Sequence, residues 1–176
     1  MQAILSTINQ AIHMNKTTHT DHSFPRPRVT VASVVEREGR FLVVEELTDA
    51  GAEVINQPAG HVEHGETLLE AVVRETFEET AWHFTPEYLI GVYLWAHPSG
   101  SSSYLRVCFG GRLDGHQADS PLDEGILRTQ WLTRDELQAL NSRLRSPLVL
   151  GVIDDYLAGE RYPLAVLKSF LPTAAL

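Results

Sequence analysis

Three glutamates, Glu75, Glu78 and Glu79, fall at i, i+3 and i+4 within the stretch RETFEET. On a helix their carboxylates leave one face together, and each exposed like-charge pair of this kind costs about 0.2–0.5 kcal/mol. The cluster also sits toward the C-terminal end of its helix, where the backbone dipole disfavours anions. Arg74 offers partial relief, since helical spacing lets it reach Glu70 or Glu78 but not every carboxylate. A solvated acidic face is the ordinary fate of such a run. The loop ahead of it changes the reading. Gly60 to Gly65 is closed by Glu66 onto the helix start, which brings another carboxylate and the Gly60 carbonyl toward the same point. A donor set made only of oxygens suits a hard divalent cation, Mg²⁺ or Mn²⁺, rather than zinc. Mg²⁺ binds through a few carboxylates together with substrate phosphates, so a site of this kind is complete only when a phosphate arrives.

The elements that must position these groups are legible from periodicity. VTVASVV and FLVVEE are β-branched runs around a turn that contains Gly39, and VINQPAG is a short third strand ending at Pro58. Thr67 to Thr80 carries a helical stripe of Leu69, Val72, Val73 and Thr76. YLIGVYLWAH and SYLRVCFGGRL are two further strands joined at PSGSS, and LRTQWLT is another. Thr133 and Glu136 form a capping box for a following helix. A last helix opens at Ser146-Pro147, with Ser as cap and Pro at the first helical position, and stops before Gly159. Strands on both sides of the acidic helix, with further helices after them, predict an α+β or α/β sandwich around a mixed sheet.

Composition narrows the function classes. A chain of 176 residues with 43% hydrophobic and 21% charged residues is expected to form one folded domain. Residues 28–176 make up that domain, and residues 1–27, polar and containing proline, read as an arm or linker. His13, His19 and His22 in that arm lack metal-ligand spacing and read as a solvated tail. The single cysteine, Cys108, excludes an internal disulfide and reads as a buried strand residue. A net charge of −9 argues against nucleic acid and anionic membranes as partners. With no apolar run of membrane-spanning length and no signal-peptide pattern, the expected compartment is the cytoplasm.

Gly60, Glu66, Arg74, Glu75, Glu78 and Glu79 fit the spacing G-x5-E-x7-R-E-U-x-E-E-x-G-U, and on these residues the chain resembles the Nudix hydrolases. Ala81 stands where the pattern has its last glycine, and Thr76 where a bulky aliphatic is common. Neither change removes a candidate ligand. Across VTVASVVEREGRFLVVEE, NQPAGHVEHGETLLEA and the C-terminal LRSPLV and GERYPL, the likeness extends to the NudJ-type group of small bacterial Nudix phosphatases. The resemblance implies an αβα Nudix sandwich, Mg²⁺ dependence, and hydrolysis of nucleoside tri- and diphosphates. For that group it also implies action on 4-amino-2-methyl-5-hydroxymethylpyrimidine diphosphate, a thiamine precursor.

Carried onto this chain, the resemblance makes Glu78 and Glu79 the main metal ligands, with the Gly60 carbonyl beside them. Glu75 ligates a second metal or takes a proton from the attacking water, Glu66 shares either role, and Arg74 orients Glu75. A later loop acid often completes such sites; Asp123 and Glu124 are the candidates, with Glu124 slightly preferred, and a solvated loop acid is the stronger reading for each taken singly. For the substrate, Asn56 and Gln57 are placed to hydrogen-bond a base edge. Tyr93, Trp95, Tyr104 and Phe109 are candidates for the pocket wall, with core packing the alternative reading. Arg28 and Arg106 are each open between phosphate contact and surface charge. The expected partner is a small phosphoanhydride substrate, with a homodimer as a further possibility. The competing class, a nucleotide-binding Nudix sensor without turnover, leaves the retained acidic cluster unexplained.

Overall fold

The computed structural model describes residues 26–171, so nearly all of the expected N-terminal arm lies outside the described residues. One mixed sheet holds β5 (Ala59–His61), β1 (Arg28–Val34), β7 (Ser103–His116) and β6 (Trp82–Ala96) in that spatial order. β1 runs parallel to β7, and the other pairs are antiparallel. In the second sheet, β3 (Arg40–Leu47) pairs with β2 (Glu36–Arg37), β4 (Glu53–Asn56) and β8 (Ile126–Thr133), all antiparallel. Among the described residues three α-helices complete the α+β fold: α1 (Leu68–Thr80), α2 (Arg134–Ala139) and α3 (Leu148–Ala158). Among the described residues no helix is long and apolar enough to cross a membrane.

Alternation along β1 divides the interior. Val31 packs with Ala71 and Val72 of α1 and with Val107 and Phe109 of β7. Ala32 and Val34 point the other way, to Phe41, Ile55, Cys108 and the α3 residues Val152 and Ile153. Phe109, a candidate pocket wall, is therefore core, and Tyr93 donates its hydroxyl to Asp155 of α3 at 2.8 Å instead of facing substrate. Thr76 points inward as well. Its hydroxyl meets Ser33 Oγ at 2.8 Å and Val72 O at 2.7 Å, so a polar pair replaces the aliphatic contact usual at this place.

Turn and cap chemistry matches the local sequence. Glu38 and Gly39 both have positive φ (55° and 75°), the backbone of a two-residue hairpin turn. Both early helices carry capping boxes, Thr67 with Glu70 and Thr133 with Glu136. Glu70 is thus committed to the Thr67 amide and is not the partner of Arg74. Pro147, with helical dihedrals, is itself the N-cap of α3, one residue later than the Ser cap expected, and Ser146 Oγ accepts from Leu148 N at 3.3 Å.

β6 differs from expectation, because it begins at Trp82, directly after α1, rather than near Tyr88. The exit from α1 is made by Ala81 in the left-handed region, with φ 57° and ψ 16°. Its carbonyl accepts from Gln117 N, and the Asp123 amide caps Glu78 O, each at 2.9 Å. A Cβ in that conformation costs about 1–2 kcal/mol. Ala81→Gly is expected to raise stability by about 1 kcal/mol, less the flexibility it adds to the unfolded chain, and Tm by about 2–4 °C. Thermal unfolding with no gain would show that the backbone at residue 81 is relaxed.

Candidate active site

The even-numbered face of the first sheet runs from core into an open cleft. Cross-strand pairing sets Ala32 beside Cys108, then Thr30 beside Arg106, then Arg28 beside Tyr104, with Trp95 of β6 opposite Tyr104. The first pair is buried core, and the outer two line a cleft of about 570 Å³. Its other wall comes from α1 and β5, which contribute Glu75, Glu79, Ala59 and Gly60. Glu46 and Asn56 close one side. Aromatic rings shelve the outer end, where Trp95 and Tyr104 stack at 5.8 Å and His97 meets Trp95 edge-on at 5.7 Å.

Arg74 organises the acidic wall. It grips Glu66 with two bonds, Nε to Oε2 at 3.0 Å and Nη2 to Oε1 at 2.7 Å. Nη1 reaches Glu75 at 2.9 Å and Glu78 at 2.8 Å, and Nη2 also donates to His61 O at 3.0 Å. Its reach is wider than helical spacing alone allows, because the Gly60–Glu66 loop folds back beside the helix and delivers Glu66 and the His61 carbonyl. These contacts, those to Glu66 foremost, hold Arg74 firmly protonated. They also pull the Glu66 carboxyl below the usual range against the effect of burial, helped by the Glu63 amide.

Glu75 and Glu79 respond in the opposite sense. Burial raises the Glu75 carboxyl, Arg74 offsets part of that, and the charges of Glu78 and Asp123 add to it. Burial pushes Glu79 well above its ordinary value. The Ala59 amide, donating at 2.8 Å, relieves it, while Glu46, Glu75 and Asp123 repel it. Gly60 leaves the space that the Glu75 carboxyl occupies: a Cβ there would lie 2.1 Å from the carboxyl carbon, so the end of that side chain would have to move. Of the two loop acids, Asp123 carries a charge that raises both Glu75 and Glu79. Its amide is tied to the Glu78 carbonyl at the end of α1.

Among the described residues no three His, Cys, Asp or Glu side chains stand together at ligating geometry. The expected convergence of carboxylates on one point is therefore not the arrangement seen, because Arg74 holds Glu66, Glu75 and Glu78 as ion pairs. The groups nevertheless suit a hard divalent cation. They are all oxygen donors, and two of them are buried acids that repel each other and that a cation would relieve.

Asn56 donates to Glu46 Oε1 at 3.1 Å and accepts from Arg106 Nη1 at 3.2 Å. It lines the cleft, as do Arg28, Trp95 and Tyr104. Gln57 does not. It is 1% exposed and donates to Val149 O at 2.8 Å, pinning β4 to α3, so its placement at a base edge is corrected. The strand's alternation, which sends neighbouring side chains to opposite faces, was the available signal. His61, Glu46 and Arg145 line the cleft without having been singled out. Burial lowers the His61 pKa, and the charges of Arg28, Arg145 and Arg106 lower it further, so the cleft has a cationic side facing its acidic one.

The profile of the NUDIX domain matches residues 24–150. The chain belongs to the Nudix family. Phosphatase NudJ of Escherichia coli K12 is 44% identical over 146 residues, covering 82% of this Nudix chain and 93% of the relative. Phosphatase NudJ of Shigella flexneri matches to the same extent. Among solved structures, a NUDIX hydrolase from Nitrosomonas europaea superposes with a TM-score of 0.80 at 44% identity, covering 82% of this chain and 98% of that one. A MutT NUDIX hydrolase from Burkholderia pseudomallei, at 18% identity and TM-score 0.63, covers 74% of this chain and 98% of its own and shares the Nudix fold.

Proposed function

We propose that this Nudix enzyme hydrolyses phosphoanhydride bonds of nucleoside di- and triphosphates and of the hydroxymethylpyrimidine diphosphate of thiamine synthesis. One observation carries the reading: a single cleft sets buried carboxylates on one wall against arginines on the other, with stacked aromatic rings at its mouth. Such a cleft suits a flat heterocycle bearing a chain of phosphates. Glu75, Glu78 and Glu79, with the Gly60 carbonyl, are the residues that would hold Mg²⁺ or Mn²⁺. When bound, the ion supplies charge neutralisation at phosphoryl oxygens and a lowered pKa for water.

The chain's own groups do the rest. Glu75, raised by burial and steered by Arg74, is the acceptor for the water proton. Glu66, held ionised by Arg74 and the Glu63 amide, fixes the guanidinium that positions Glu75. Asp123 adds negative charge at the end of α1, and Trp95 and Tyr104 take the heterocycle. Residues 28–176 form the catalytic domain in this reading, with residues 1–27 as an arm. Incubating the purified protein with Mg²⁺ and a panel of mono-, di- and triphosphates, with each product identified, tests the proposal. Cleavage of the di- and triphosphates with monoesters spared is expected. Binding without release of phosphate or pyrophosphate from any of them would overturn it.

A further inference from the structure

The cleft contains a cation that the acidic wall does not use. Arg106 of β7 is 8% exposed and lines the cleft. Its side chain donates from Nη1 to the neutral Asn56 Oδ1, and its buried Nε has no partner. Among the described residues no carboxylate forms an ion pair with it. Other arginines of the fold are matched differently: Arg74 meets three carboxylates, and Arg40, Arg112, Arg128 and Arg134 each meet at least one. Glu46 is already engaged by Asn56 at 3.1 Å and by Arg145 at 3.5 Å.

A buried guanidinium without a counter-ion is costly, and the more conspicuous in a chain of net charge −9. Beside it in the ladder stands Thr30, whose buried hydroxyl also lacks a partner. Arg28 and Arg145 line the same cleft and act on His61 together with Arg106, so the positive charges converge. Unspent donors and unpaired charge on one patch suit a tetrahedral oxyanion.

We propose that Arg106, with Thr30 beside it, binds the phosphate of the substrate that is not attacked. The proposal rests on the reading of the acidic wall as the place of reaction. Arg106 then discriminates substrates that carry a second phosphate from those that carry one, by holding the second group across the cleft from Glu75 and Glu79.

The test needs no turnover. Thermal unfolding of the whole protein is followed in EDTA with and without millimolar inorganic pyrophosphate. The wild type is expected to gain roughly 4 °C. Arg106→Met is expected to lose that gain while unfolding, without pyrophosphate, at or above the wild-type temperature, because a buried unpaired charge has been replaced by an apolar chain. Arg106→Lys keeps the charge but not the planar fork and should retain part of the response. Thr30→Val should fold normally and respond more weakly, which secures the test if Arg106→Met folds poorly. Arg112→Met, on the exposed part of β7, should respond like wild type.

With a hydrolysable diphosphate, Arg106→Met should raise KM by about 10- to 100-fold, with kcat changed by about threefold or less. A full pyrophosphate response in Arg106→Met, or none in the wild type, would overturn the assignment. So would a loss of stability in plain buffer with KM unchanged, which would make Arg106 a packing residue. If no phosphoanhydride is cleaved while the pyrophosphate response still follows Arg106, the anion site stands and the proposed activity fails.

Discussion

Glu75→Gln is expected to lower kcat by about 10²- to 10⁴-fold while the protein folds as before. The substitution keeps volume and one acceptor oxygen but removes the charge that accepts a proton. Its neighbours make the effect specific. Arg74 Nη1 holds Glu75 at 2.9 Å, and Gly60 leaves the space in which the carboxyl lies. Gly60→Ala should therefore reproduce much of the kinetic loss with little loss of stability, since the added methyl displaces the end of a side chain rather than backbone. Steady-state kinetics beside thermal unfolding decide it. A Glu75→Gln enzyme with near-wild-type kcat would remove Glu75 from proton transfer, and an unperturbed Gly60→Ala would show that the carboxyl works from elsewhere.

The second large effect separates stability from activity at Glu79. Glu79→Gln is expected to lower kcat/KM at limiting Mg²⁺ by about 10²-fold or more, because the charge of a proposed ligand is lost. The metal-free protein should instead become more stable, by on the order of 1 kcal/mol at pH 8, as a buried repelled charge gives way to a neutral group of the same shape. The pH dependence follows from the sign of the shift. The folded pKa of Glu79 lies above 4.5, so its contribution is full below that pH and is lost as pH rises through the folded value. His61 opposes this: its pKa is depressed below 6.5, so its contribution fades as pH falls through that depressed value. The difference in Tm between Glu79→Gln and wild type, both in chelator, cancels the His61 effect. That difference should grow from pH 5 to pH 8. A flat difference would mean that Glu79 is not strained in the metal-free fold.

Much of the candidate site is legible in the sequence, because its parts are local. Gly60, Glu66, Arg74, Glu75, Glu78 and Glu79 lie on one loop and one helix, where spacing alone sets the shared face. The capping box at Thr133 and the Ser146-Pro147 helix start were readable for the same reason. What escaped depends on contacts between distant segments. Arg74 gathers three carboxylates only because the loop folds back on α1. Asp123 acts on Glu75 and Glu79, and its amide caps that helix, a contact between distant segments. Asn56 and Gln57 part company by strand alternation, which does not say which of the two faces the core. Arg106 was open between surface and phosphate for the same reason, and its pairing with Thr30 and Tyr93 is what buries it. Arg145 and His61 line the cleft through register and loop packing, which no short motif encodes.

The acidic turn of α1 is proposed to serve metal-assisted cleavage of a phosphoanhydride. Its most direct test is phosphate and pyrophosphate release from a nucleoside triphosphate by the purified protein, with Mg²⁺ and then with EDTA in excess. Release is expected to need Mg²⁺, to stop with the chelator and to return when Mg²⁺ is restored. Release that continues undiminished in EDTA, or tight nucleotide binding with no release under either condition, would contradict it.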